Sequence, residues 1–116
     1  MNWIALNTVS QLEEITQHSN STPMVIFKHS TRCPVSSMAK KNVEFESLLL
    51  PEDVPTYFLD LIKFRDISNQ IAEKWNVKHE SPQILLIYNQ ECVYHASHSE
   101  INVADIVVKI NQLKLK

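Results

Sequence analysis

The chain is predicted to be an α/β protein of order βαβαβαββα, with a mixed central sheet and helices on both faces. Three observations carry this. Strand-like apolar runs alternate with stretches of helical periodicity, only Asn89-Gln90 separates the last two strands, and no linker or repeat interrupts the series. Right-handed crossovers make the first three strands parallel, and the closing hairpin makes the fifth antiparallel to the fourth. At 116 residues the chain is expected to form one domain over 1–116, long enough to bury a sizeable core.

Taken in order, Trp3-Ile4-Ala5-Leu6 suggests a short strand. Thr8 is a suitable N-cap for a helix through Gln17, with Val9, Leu12 and Ile15 at helical spacing. Pro23 to Lys28 reads as a buried strand. The next helix follows Cys33, carries Val35, Met38, Ala39 and Val43 on one face, and ends before Pro51. Pro55 to Asp60 is the third strand, and Asp66 to Trp75 a helix burying Ile67, Ile71 and Trp75. Pro82 to Tyr88 and Glu91 to Ala96 form a hairpin. Asn102 caps a last helix that turns Val103, Ile106, Val107, Ile110 and Leu113 to the core.

Composition narrows the function classes. A net charge of −2 and a pI near 6.2 argue against a nucleic-acid partner. No apolar run approaches the ~20 residues that span a bilayer, so no membrane partner is expected. The start, Met1-Asn2-Trp3-Ile4, lacks the basic region and apolar core of a signal peptide. Two cysteines make no disulfide framework, and a cytoplasmic location is expected. Glycine is absent, which removes GxGxxG and P-loop phosphate cradles. Left-handed turn positions should therefore fall to Asn, Asp or Ser.

Thr31-Arg32-Cys33-Pro34-Val35-Ser36-Ser37 is the segment richest in chemistry. It sets one cysteine between a buried strand and a helix. Cys33 fits the N-cap and Pro34 the first helical position, where a missing N–H costs nothing. Free N–H groups of the Val35–Ser36 turn and the helix dipole favour a thiolate there, and thiolates attack disulfides. Redox enzymes of this design usually carry Cys-x-x-Cys, whereas Ser36 stands at the second position here. Ser36 can hydrogen-bond to sulfur but cannot close an internal disulfide. The bland alternative for Cys33 is an inert, buried packing thiol. Cys92 begins the fifth strand at the far end of the sheet, so a Cys33–Cys92 bond is not expected and Cys92 reads as a packing residue. His29 and Arg32 could raise the local positive potential or orient the cysteine loop, with Thr31 beside them. The far end of the fifth strand brings Ser97 and His98 toward Cys33. No ligand pair has a zinc-type spacing, so no metal is expected.

The order of elements, with the reactive cysteine after the second strand, resembles the thioredoxin fold over essentially the whole chain. Lys74 to Pro82, followed by an apolar strand, is similar to the segment where thioredoxins place a cis-proline facing the cysteine. The resemblance implies a cis Ser81-Pro82 bond that presents the Ser81 backbone to a docked substrate chain. Phe27 to Ser36, His79-Glu80-Ser81-Pro82-Gln83 and Ser97-His98-Ser99-Glu100-Ile101 together resemble the YtxJ family of monothiol bacilliredoxins. The chain departs from many thioredoxin-like proteins in the Asn89-Gln90 turn, where a glycine is frequent.

That family resemblance implies a thiol-disulfide oxidoreductase that removes bacillithiol, a glucosamine-containing thiol, from protein mixed disulfides. Cys33 would be the nucleophile, with His29, Thr31, Arg32, Pro34, Val35 and Ser36 supporting its loop and thiolate. His79, Ser81, Pro82, Ser97 and His98 would bind substrate, the two histidines at carboxylates or sugar hydroxyls unless they are structural. Bacillithiol is then a co-substrate, and no tightly bound cofactor is expected. The partners are bacillithiol-modified proteins, with free bacillithiol or another redox protein as reductant, and a monomer is expected. Two other classes fit the fold: an iron–sulfur carrier resembling monothiol glutaredoxins, whose glycine-bearing motifs are missing here, and a non-catalytic thioredoxin-fold binding module.

Overall fold

The computed structural model describes residues 2–114. Five strands form one sheet: β1 (Trp3–Ala5), β2 (Met24–His29), β3 (Thr56–Asp60), β4 (Gln83–Tyr88) and β5 (Glu91–Ser97), in spatial order β1-β3-β2-β4-β5. The first three run parallel, β4 is antiparallel to β2, and β5 is antiparallel to β4. The helices are α1 (Ser10–His18), α2 (Pro34–Phe45), α3 (Arg65–Trp75) and α4 (Val103–Lys114).

Strand β2 lies at the centre of the sheet, and all six of its residues are buried. A strand covered on both faces needs a continuous apolar run rather than an alternating one, which is what Met24-Val25-Ile26-Phe27 supplies. Met24 and Ile26 pack with Leu12 and Ile15 of α1 and Ile67, Ile71 and Trp75 of α3. Val25 and Phe27 face the opposite cluster, with Ala39 and Val43 of α2 and Val103, Ile106 and Ile110 of α4. Helices therefore cover both faces. The same alternation carries the last two residues of β2 into the interior, although Lys28 and His29 are both polar.

Several boundaries and faces differ from expectation. The first helix starts later: Val9 is the N-cap of α1, while Gln11 Oε1 accepts from the Asn7 and Thr8 N–H groups at 2.9 and 3.0 Å. Gln11 thus reaches back to the two residues ahead of the cap, one position upstream of where a capping box about Val9 would close. Helix α2 ends at Phe45 and is followed by a single 3-10 turn, Ser47–Leu49. Its buried residues are Ser36, Ala39 and Val43, while Val35 and Met38, expected on the same face as Ala39 and Val43, are exposed. Non-glycine residues with positive φ are Asn76, Asn89, Gln90 and His98. Asn76 and Asn89 match the substitution of asparagine for glycine, whereas Gln90 and His98 were not foreseen. The Asn89-Gln90 turn is held against the end of α1, where the Asn89 N–H donates to Ser19 O (2.7 Å) and the Gln90 N–H to Ser19 Oγ (2.9 Å). Asn102 caps α4 as expected, its Oδ1 accepting from the Ala104 N–H at 2.8 Å.

Candidate active site

Cys33 occupies the N-cap of α2 in an extended conformation (φ −107°, ψ 118°), with Pro34 opening the helix. Its N–H donates to Ser30 O (3.2 Å) and its O accepts from the Ser37 N–H (3.0 Å), so the backbone is fixed on both sides of the residue. The Cys33 side chain is half-buried and makes no capping bond. The Val35 and Ser36 N–H groups at the helix start are thus left for whatever stands above them. Thr31 and Arg32 form the exposed tip of the turn from Ser30 to Cys33, and Pro34 and Val35 are exposed beside it.

The hydroxyl of Ser36, which could have reached the sulfur, is directed elsewhere. It is fully buried, with Oγ 2.7 Å from His29 Nδ1 and accepting from the Ser30 N–H at 3.0 Å. Both partners lie upstream of the cysteine, so Ser36 pins the loop from beneath. His29 is itself enclosed by aromatic rings, with Phe27 at 6.1 Å and Phe58 at 5.4 Å between centroids. Burial, reinforced by the Lys40 charge, lowers the His29 pKa. Of its two expected roles, orienting the loop fits this environment, and supplying positive potential does not.

The Ser81-Pro82 bond is cis, as the resemblance implied. Gln83, the next residue, pairs with Lys28 across the β2–β4 ladder, which sets Pro82 beside the C-terminal end of β2. The His98 N–H donates to Pro82 O at 2.9 Å, and the 3-10 turn His98–Glu100 packs against α2. Together Pro34, Val35, Met38, Ala39 and Asn42 on α2 face His98, Ser99 and Ile101 across a groove of 390 Å³. His98 thus reaches the cysteine side of the sheet as expected, and does so in a left-handed conformation (φ 55°). Ser97 is buried. Its Oγ accepts from Gln83 Nε2 at 3.4 Å, and its hydroxyl is the leading cause of a lowered Glu80 pKa. Ser81 Oγ is buried without a partner among the described residues.

His79 faces inward along its Nδ1 edge, 3.4 Å from Lys28 Nζ and 3.1 Å from Ser68 Oγ. Burial first, then the charges of Lys28 and Arg65, lower its pKa. The Nδ1 edge of His79 is thus engaged within the fold, while the residue as a whole is half-buried. Lys28 was not singled out by sequence reasoning, which saw only the end of a strand. It has no exposed surface, donates to Ser68 O (3.2 Å), and burial lowers its pKa to about 8. Its place at the end of a strand buried on both faces was the available signal. Cys92 is half-buried against the α1–α3 core and donates to Tyr94 O at 3.3 Å; burial pushes its thiol up to about 11. Among the described residues, no group of three or more His, Cys, Asp or Glu side chains is arranged to hold a metal. No helix among them is long and apolar enough to cross a membrane.

A family model described as monothiol bacilliredoxin BrxC matches residues 4–106. Among solved structures, a protein described as a proposed oxidoreductase with a thioredoxin fold is 35% identical. That match covers 90% of each chain with a TM-score of 0.77. Thioredoxin from Trypanosoma brucei brucei is 16% identical, with a TM-score of 0.72 over 99% of this chain and 93% of that one. Fasciola hepatica thioredoxin is 20% identical, with a TM-score of 0.66 over 93% and 96%. The last two show the shared thioredoxin fold.

Proposed function

The chain belongs to the monothiol bacilliredoxin family and is a thiol-disulfide oxidoreductase, and from that premise we propose that Cys33 removes bacillithiol from protein mixed disulfides. One observation carries the reading: Cys33 is accessible at the N-cap of α2, while the position of a resolving thiol holds a buried serine bonded to His29 and Ser30. The protein acts as a single domain in the cytoplasm, with bacillithiol as co-substrate and no resident cofactor.

The Cys33 thiolate attacks the bacillithiol sulfur of the mixed disulfide. A Cys33–bacillithiol bond forms, the protein–bacillithiol bond breaks, and the protein cysteine leaves as a thiolate. Negative charge at the Cys33 sulfur, before attack and again on release, is met by the orphan N–H groups of the first turn of α2. Ser36 cannot attack the capped cysteine. A second thiolate, from free bacillithiol or a redox protein, must attack the capping sulfur, so that a disulfide forms between that thiol and bacillithiol, the Cys33–bacillithiol bond breaks and Cys33 leaves as a thiolate. Arg32 and Thr31 border the thiol at the exposed tip of the loop, where a carboxylate of the small thiol meets a fixed cation. His98 and the Ser81–Pro82 segment border the other side.

The test is intact mass spectrometry of a bacillithiol-modified client mixed with the enzyme. One bacillithiol should leave the client and appear on the wild-type chain and on Cys92→Ala, and neither change should occur with Cys33→Ala. Equal release by Cys33→Ala would end the proposal.

A further inference from the structure

We infer that the solvent face of α2, from Val35 to Phe45 and on to Leu48, docks the protein half of the mixed disulfide. This rests on the proposed exchange at Cys33 and says which surface recognises the client. Val35, Met38, Asn42 and Phe45 recur at intervals of three and four residues, which places them within an arc of about 80° on one helix face. Val35 is 57% exposed, Met38 66% and Phe45 88%, and Leu48 in the following turn is 95% exposed. The helix already meets its own core through Ser36, Ala39 and Val43, so this second apolar stripe is surplus to folding. Its upper part lines the groove bounded by His98, Ser99 and Ile101. It begins two residues after the nucleophile, so a protein joined through sulfur to Cys33 is held within reach of its upper end.

The extent of the stripe decides the occupant. Phe45 lies about 18 Å down the helix from Cys33, beyond the reach of a small polar thiol held at that sulfur. A second copy of the chain is a poor fit. A helix face of about 18 by 10 Å offers near 200 Å², against the ~800 Å² per partner typical of a stable interface. Redox encounters, which must separate after each turnover, sit at the small end of interface sizes. An apolar segment flanking the modified cysteine of a client matches the chemistry of the face, which would add to the contacts it makes around Cys33 in an interface of that small class.

The experiment compares Phe45→Glu/Leu48→Glu with wild type on two substrates: a bacillithiol-modified protein, and the mixed disulfide of bacillithiol with 2-mercaptoethanol. Loss of one apolar anchor typically costs about tenfold in affinity. We expect kcat/KM to fall about tenfold on the protein substrate, mostly through KM, and to change less than about twofold on the small disulfide. Phe45→Gln, a milder change, should show the same selectivity at roughly threefold, and circular dichroism checks folding of both variants. Equal losses on the two substrates, or no loss on the protein, overturn the inference. A wild-type dimer in sedimentation that Phe45→Glu dissolves overturns it in favour of self-association. If wild type reacts with neither substrate, the exchange reading itself fails, an outcome distinct from a lost preference for protein.

Discussion

Replacing Ser36 with alanine should loosen the cysteine loop rather than alter the sulfur. The hydroxyl joins two groups that precede Cys33: the Ser30 N–H at 3.0 Å and His29 Nδ1 at 2.7 Å. Each bond contributes about 0.5–1.5 kcal/mol, and a buried polar group left without a partner costs about 1–3 kcal/mol. Ser30 is half-buried, so water can replace the hydroxyl there. His29 is 5% exposed and ringed by Phe27 and Phe58, so its Nδ1 has no such recourse. The expected loss is about 2–4 kcal/mol, which for a domain of this size lowers Tm by about 10 °C. Urea and thermal unfolding at pH 7 measure the stability, and the rate of iodoacetamide labelling at Cys33 measures the thiol. A Tm within about 2 °C of wild type, with a labelling rate changed tenfold or more, would refute the pinning role and restore Ser36 as a direct support of the sulfur.

Two further outcomes follow from the buried groups. Lys28 has a folded pKa of about 8 against an ordinary 10.5, so between those values the unfolded chain binds more protons and stability rises with pH. Below pH 8 the whole cost of burying the ammonium is present, about 3 kcal/mol at most. Losing the bond to Ser68 O returns about 1 kcal/mol of that, so Lys28→Met should be more stable than wild type at pH 7 by about 1–2 kcal/mol. In urea titrations the gap should shrink from pH 8 to 10, and a gap constant across that range would sink the account. Cys92, its thiol pushed up to about 11, should resist alkylation in the folded protein. Intact mass after iodoacetamide at pH 8 should show one adduct when native and two in urea, and two adducts under native conditions would contradict its packing role.

Much of this fold was legible because its signals are local. The uninterrupted apolar run of β2 named a strand covered on both faces, and Asn89-Gln90 named the hairpin. Cys33-Pro34 named a helix start, as Asn102 did for α4. Helix α2 was misread because it carries two apolar stripes offset around its axis. Ala39 and Val43 belong to the one that meets the sheet, Val35 and Met38 to the one that does not, and spacing alone does not separate them. Lys28, His79 and Ser68 come together across 51 residues of sequence, and only the register of β2 against its neighbours reveals that. Ser36 shows the same limit: its distance from Cys33 suggested the sulfur as partner, while the fold offered His29. Gln90 and His98 hold left-handed conformations because hydrogen bonds to Ser19 and Pro82 impose them, a tertiary demand that turn propensity cannot report.

Adjacent residues at the end of β2 face opposite sides of the sheet, and each holds one loop. His29 grips the cysteine loop through Ser36, and Lys28 grips the segment before Pro82 through His79. Both loops are thereby surveyed from a single benchmark, one peptide unit at the centre of the sheet. Motion at the sheet edges should then carry Cys33 and the Ser81–Pro82 segment together. Chemistry that depends on aligning three sulfur atoms inherits its tolerance from that shared origin.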